Sequence, residues 1–249
     1  MEGFQTAGYL VDVVLCIDGT GSMVPIIDKI KQDAKNFYMM YANAMQSYDP
    51  PKPIRENGMR VKVIVFRDFK DDGDQALVES PFYNLQDPGA LSAFNAFVDA
   101  IVPSGGGDDP ESALEAIAVA MKSQWALGGN PRYRRQAIIV FTDNCALQLN
   151  HPERTSNSRY PRSIPKTTEE LISLWENGDQ EMAPYYAPQN GRLIVFAPES
   201  TRSDARSDIV QWRPLVDSME RVWFVPMTEG GGCAEQDLNN SMEILVGSF

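Results

Sequence analysis

Residues 10–17 read LVDVVLCI, a short run of mostly β-branched and apolar residues broken only by Asp12. A strand that is apolar on both sides must be covered on both faces. That condition is met inside a parallel sheet with helices above and below. Similar runs recur at 61–69 (VKVIVFRDF), 136–143 (QAIIVFTD), 192–198 (RLIVFAP) and 221–227 (RVWFVPM). Between them lie helical patterns. From Pro25, apolar residues fall at Ile26, Ile27, Ile30, Ala34, Phe37, Tyr38 and Tyr41, one stripe of a helix with proline in its first turn. Further helices are predicted over 90–102, 112–127, 210–219 and 238–249, with a loop at 49–58 and an edge strand at 76–83. Strand and helix alternate from end to end. This predicts an α/β fold, a doubly wound and mostly parallel sheet with helices on both faces. Neither repeat nor linker divides the chain, so residues 1–249 read as one domain.

Residues 144–190 do not fit this rhythm. They carry HPERTSNSRYPRSIPK and then TTEELISLWEN, a short helix with Thr168, Leu171, Ile172 and Trp175 on its apolar side. An ordinary connection spans roughly 2–6 residues, so this segment is expected to be an insertion on the rim of the sheet.

Composition narrows the function classes. There are 22 basic and 34 acidic residues, a net charge of −12. Such a surface argues against general nucleic-acid binding. Cys16, Cys145 and Cys233 are widely spaced and odd in number, which suits a reducing compartment better than a disulfide framework. The N-terminus lacks a basic region followed by an apolar one, and no run approaches the roughly 20 apolar residues of a membrane helix. The expected location is the cytoplasm.

The first strand runs straight into Asp18-Gly19-Thr20-Gly21-Ser22-Met23. In an open parallel sheet, ligands bind beyond the carboxyl ends of the strands. Three further acidic loops reach the same edge: FRD (66–68), GGGDDPE (105–111) and TDN (142–144). Hydroxyl and carboxylate oxygens suit Mg²⁺ or Mn²⁺ rather than zinc or copper. Asp18 alone is open to three readings: metal ligation, nucleophilic attack on phosphate, or capping of the following helix.

The sequence DGTGSM resembles the D-x-[ST]-x-S motif of von Willebrand factor type A domains, and the order of the later loops agrees. The resemblance implies a metal-ion-dependent adhesion site in which Asp18, Thr20 and Ser22 form the first motif and Asp143 the third. In the second motif, Gly106-Gly107-Asp108-Asp109 places Asp108 where the family usually has threonine, so Asp108 is either a ligand or part of a capping box with Glu111. Asp109, before Pro110, suits a helix N-cap. The spelling GGGDDPE and the FRDF strand end resemble intracellular members, both stand-alone bacterial ones and those fused to alpha-kinases. The family then implies a non-catalytic module in which Thr20 and Ser22 ligate the ion, Asp18 and Asp143 act through water, and a partner supplies a Glu or Asp carboxylate. Intracellular relatives work beside ATPases, kinases or phosphatases. A bacterial stress-response or phage-defence assembly follows by that association.

Two alternatives stand beside this reading. DGTGS also resembles the loop of haloacid-dehalogenase-like phosphotransferases, with Asp18 as nucleophile. However, GGGDD precedes FTD and no lysine occurs from 144 to 165, so the order of parts that family needs is missing. The other alternative is an assembly scaffold whose metal site has lapsed. The lone histidine, His151, offers neither a metal cluster nor a triad. Arg154, Arg159 and Arg162, with Lys166, make the irregular segment locally basic. Together with Asp68 they are expected to form a partner-reading surface over the metal face. Arg132, Arg134 and Arg135 precede the strand that leads to Asp143 and should lie at its opposite end.

Overall fold

The computed structural model describes residues 8–107, 110–128, 130–179, 186–198, 208–227 and 235–247, without the side chains of 235–239. The elements in chain order are β1 (Tyr9–Asp18), α1 (Ile27–Ser47), β2 (Ile54–Phe66), β3 (Leu77–Glu79), β4 (Tyr83–Asn84), α2 (Pro88–Asp99) and α3 (Ala113–Met121). Then come β5 (Arg134–Phe141), β6 (Ala146–Leu147), α4 (Pro152–Thr155), α5 (Thr168–Asn177), β7 (Gly191–Pro198), β8 (Ile209–Val210), α6 (Trp212–Asp217), β9 (Val222–Met227) and α7 (Glu235–Val246).

The main sheet has the order β3-β2-β1-β5-β7-β9, with β4 also paired to β2. The pairs β1–β2, β1–β5, β5–β7 and β7–β9 are parallel; only the short edge pieces β3 and β4 run antiparallel. This is the doubly wound, Rossmann-like α/β arrangement expected from the sequence. Period-two alternation divides the central strands between two cores. Val11, Val13, Leu15 and Ile17 of β1 face one side, with Ile27, Ile30 and Phe37 of α1, Phe94 of α2 and Leu245 of α7. Val14 and Cys16 face the other, with Leu114 and Ile117 of α3, Trp175 of α5 and Leu215 of α6. Cys16 and Cys145 are buried free thiols; Cys233 lies outside the described residues. Among the described residues, no helix is long and apolar enough to cross a membrane.

Several boundaries differ from the sequence expectation. β2 begins at Ile54, inside the expected loop, and accommodates Asn57 at φ 54°. The helix expected over 112–127 stops at Met121, and Trp125 then packs into the core beside the chain. Because α3 begins at Ala113, Pro110 is not in its first turn.

The larger difference concerns 144–190. Helix α5 is not rim material: it lies in the connection between β5 and β7 and seals one face of the sheet. Its Leu171, Leu174 and Trp175 are buried, whereas Thr168 is only half-buried. The Trp175 indole donates to the Glu220 carbonyl at 2.7 Å, and its ring lies 5.7 Å from that of Tyr186. The truly irregular part is 144–167, where β6 pairs antiparallel with β8 and bridges to Glu111. If α5 is core, Trp175→Ala should destabilise the protein by about 3–5 kcal/mol. Urea unfolding followed by circular dichroism would measure this, and a change below about 1 kcal/mol would return α5 to the rim.

Candidate metal centre

Parallel pairing places the ends of three strands side by side. Asp18 is in register with Phe66, and Ile17 with Phe141, so β1, β2 and β5 end together. Asp18 is fully buried there. Its Oδ1 accepts from the Thr20 backbone N–H at 2.9 Å and from the Thr20 hydroxyl at 2.7 Å. Its Oδ2 accepts from the Thr142 hydroxyl at 2.7 Å. Exposed Ser22 donates to Asp143 Oδ1 at 3.0 Å, and its Oγ lies 3.0 Å from Thr20 Oγ1. Asp18, Thr20, Ser22 and Asp143 thus converge from two loops 121 residues apart. Thr142 joins them; the sequence reading passed over it, although it sits next to Asp143 in the same TDN loop.

The glycines act by close approach. A Cβ at Gly19 would lie 2.6 Å from Val65 Cγ1, so only glycine lets the chain leave β1 against β2. Gly106 has φ 99°, and a Cβ there would come within 2.9 Å of Thr20 Cβ. The glycine loop is bound to the first loop by Gly21 N–H to the Gly105 carbonyl at 3.1 Å and Ser104 N–H to the Gly19 carbonyl at 2.9 Å. Gly106 N–H also donates to Asp72 Oδ2 at 3.0 Å. Asp108 and Asp109 lie outside the described residues, so the expectations for both fall there. Capping does not explain the hydroxyls: α1 starts at Ile27, and Thr20 makes no side-chain cap bond to the short turn Gly21–Met23.

This donor set fits a hard divalent cation. A hydroxyl has one proton. With Thr20 donating to Asp18 and Ser22 to Asp143, the remaining lone pairs of both oxygens are free to face a cation. Two carboxylates add charge, and oxygen-only donors suit Mg²⁺ or Mn²⁺. Burial pushes the Asp18 carboxyl up to about 7, the Thr20 and Thr142 hydrogen bonds work against the rise, and the charge of Asp143 adds to it. A cation would relieve that cost of ionisation. Among the described residues, no group of three or more His, Cys, Asp or Glu side chains gathers at one point. Hydroxyls would therefore have to complete the set.

The expected partner surface needs correction. Arg154 and Asp68 are both buried, and the Arg154 Nε donates to Asp68 Oδ1 at 2.8 Å. The same guanidinium donates to the carbonyls of Glu111 and Pro110 and lies 3.8 Å from Glu115 Oε2. Arg67, next to Asp68 in the sequence, donates to the carbonyls of Ser104, Gln75 and Val102. Arg154 and Asp68 therefore hold loops together and offer nothing to a partner. Arg159 and Arg162 are exposed; Arg159 pairs with exposed Asp74 at 2.9 Å and Arg162 donates to the Asn157 carbonyl at 3.4 Å.

No protein-family model matches the chain, and no curated protein does. Solved structures with a similar fold include the pilus adhesin SpaC from Lactobacillus rhamnosus GG, with a TM-score of 0.57 and 12% identity over 96% of this chain and 31% of that one. The open conformation of the same adhesin gives a TM-score of 0.53 at 11% identity, over 96% of this chain and 30% of that one. The PilB minor pilin from Streptococcus sanguinis gives 0.53 at 12% identity, over 99% of this chain and 61% of that one. This chain spans about a third of the adhesin and three fifths of the pilin. At these identities the likeness is one of fold.

Two outcomes follow from the buried network. Arg154→Ala leaves Asp68 and Glu115 facing an empty site and should cost about 3–5 kcal/mol, whereas Arg159→Ala, at an exposed pair, should leave stability essentially unchanged. Chemical denaturation of both variants checks the contrast. Glu115 is fully buried, and burial pushes its carboxyl up to about 7, against the pull of Arg154 and a hydrogen bond from Tyr160. A raised carboxyl pKa means the folded protein holds a proton that the unfolded chain releases above its ordinary value of 4.5. The stability tied to that proton is present below 4.5 and is lost as pH rises through about 7. Glu115→Gln should therefore flatten the fall in stability across this window. Parallel slopes for wild type and variant, measured by urea unfolding from pH 5 to 8, would contradict it.

Proposed function

We propose that this chain is a divalent-cation-dependent protein-binding module of the von Willebrand factor type A kind. The observation that carries the reading is the convergence of Thr20 and Ser22 hydroxyls with the Asp18 and Asp143 carboxylates at one sheet edge, where Ser22 is exposed and Asp18 and Thr20 are buried beneath it. Thr20 and Ser22 would hold the ion directly, with Asp18 and Asp143 supplying charge and orienting the hydroxyls. When bound, the cation gives the edge a Lewis-acidic point that takes a Glu or Asp carboxylate of a partner protein. Mg²⁺ and Mn²⁺ are the proposed ions. Asp108 stays in the proposal as a further ligand, since the loop that leads to it is bound to the Asp18 loop.

The rim supports a protein partner. Val24 and Val102 are 61% and 66% exposed, and their two loops are joined by the Gly19–Ser104 and Gly21–Gly105 hydrogen bonds. Exposed aliphatic groups around a charged point suit a protein surface. Arg159 and Arg162 remain the outer basic residues a partner would meet. The adhesin and pilin names of the fold neighbours point the same way, toward adhesion or protein binding. We place the module in a bacterial multi-protein system of stress response or phage defence, in the cytoplasm, beside an ATPase, kinase or phosphatase.

A nucleophilic Asp18 fits less well. Both of its oxygens already accept hydrogen bonds and the residue has no exposed surface, so a phosphate has no approach to it.

Titration with Mn²⁺ or Mg²⁺ should raise the melting temperature, equivalent to about 2.7 kcal/mol at a hundredfold excess over Kd. Ser22→Ala, at an exposed position, should weaken Mn²⁺ binding about tenfold with the fold intact by circular dichroism. A partner captured in Mg²⁺ should be lost both in EDTA and from Ser22→Ala. Wild type that binds no metal would favour the lapsed scaffold. Hydrolysis of a generic phosphate ester with Mg²⁺, abolished by Asp18→Asn, would make the protein a phosphotransferase.

A further inference from the structure

The acidic turn after β2 and the glycine loop before α3 are shaped to each other. The turn carries Asp71 and Asp72, and the loop carries Gly105, Gly106 and Gly107. Gly106 packs on Thr20, and its two neighbours pack on the acids. A Cβ at Gly105 would collide with the Asp72 carboxylate, and one at Gly107 with that of Asp71. Half-buried Asp72 joins the turn to the loop: its Oδ2 accepts from the Asp68 N–H at 3.0 Å and from the Gly106 N–H at 3.0 Å.

Asp72 is itself held in place. Its N–H donates to the Asp68 carbonyl at 2.9 Å, and the Gln75 N–H donates to the Asp72 carbonyl at 2.8 Å. Arg154 fixes Asp68 from the buried side. From the irregular segment, Asn157 Nδ2 donates to the carbonyls of Phe69 at 2.8 Å and Gly73 at 3.1 Å, and Arg159 pairs with Asp74. A carboxylate on so fixed a backbone is pre-organised, and its hydrogen bonds are stronger than those between neutral groups. On its other side the glycine loop is tied to Gly19 and Gly21, which flank Thr20. Asp72 and the Thr20 loop therefore grip Gly106 from opposite sides.

We infer that Asp72 is a positioning residue of the proposed cation site. Through the Gly106 N–H it seats the glycine loop on Thr20, and so sets how tightly the Thr20 and Ser22 hydroxyls hold an ion. This role rests on the cation reading of the Asp18 loop, because without an ion Asp72 has nothing to tune. Asp72 acts through the backbone rather than on the ion. Ligating groups must be held to within roughly 0.5 Å, and loss of a supporting contact typically costs about 10–100-fold in metal affinity. The chain reaches Asp108 two residues after Gly106, so the seat of Gly106 also governs that further proposed ligand.

Two readouts on the full chain separate this role from the cation reading. The first is hydrogen exchange of the Gly106 amide in EDTA, followed by NMR. Wild type and Asp72→Asn, whose side-chain oxygen still accepts, should protect it, and Asp72→Ala should lower the protection about tenfold or more. The second is Mn²⁺ titration followed by electron paramagnetic resonance, at a temperature where circular dichroism shows every variant folded. Asp72→Ala should bind about tenfold more weakly, and Asp72→Asn should change by under about threefold. Gly105→Ala crowds the carboxylate without removing it and should also weaken Mn²⁺, which keeps the test valid if Asp72→Ala unfolds. Equal losses in Asp72→Asn and Asp72→Ala would assign the effect to charge and overturn the positioning role. Full protection of Gly106 in Asp72→Ala would overturn it too. Wild type that binds no Mn²⁺ would sink the cation reading, whereas the exchange result in EDTA decides by itself whether Asp72 holds the loop.

Discussion

The Asp18 carboxylate closes the central strand. It has no exposed surface, and Thr20 and Thr142 donate to its two oxygens. These bonds do more than satisfy a buried acid. They fix the first loop to the end of β5, so Ser22 comes to meet Asp143. The glycine loop then packs on Thr20, because Gly106 has no side chain to hold it off. An uncompensated buried carboxylate is expensive, so the loops are held in the arrangement that supplies its donors. The proposed cation would take over that role with charge.

A second buried group keeps the rim in place. Arg154 comes from the segment after β6 and reaches Asp68 beyond β2, the carbonyls of Pro110 and Glu111, and the neighbourhood of Glu115 on α3. Tyr160 completes the network by donating to Glu115 and accepting from Asn150 N–H. The irregular segment is therefore anchored from inside. Its exposed arginines vary the outer surface, while its buried one fixes the chain on the far side of the glycine loop. The two ends of the sheet then differ in kind: oxygen donors at the carboxyl edge, guanidinium donors at the amino edge.

The alternation of apolar runs with amphipathic helices gave away the sheet, because the runs are short and rich in β-branched residues and the helices between them supply the cover for both faces. DGTGS and TDN were legible as converging loops, since parallel strands deliver their carboxyl ends to one edge. Thr142 was missed because a threonine at a strand end carries no signal until its hydroxyl is seen on Asp18. Arg154 was misread for a similar reason: a basic residue in a polar segment looks solvated, and its pairing with Asp68 spans 86 residues. Helix α5 was placed on the rim because an unusually long polar lead-in hid an ordinary crossover.

The strand–helix order, the two-faced burial of β1 and the oxygen-rich character of the loops after β1 and β5 are all legible from residue order alone. These are local properties: side-chain period, backbone propensity and donor chemistry are written residue by residue. Which charged groups are buried with each other and which face solvent follows from the packing of the elements. Arg154 became an internal clamp, Arg159 stayed outside, and Arg135 and Arg192 came together at the amino edge through the β5–β7 register. Burial and long-range pairing depend on how the elements pack, and no short stretch of sequence carries that information.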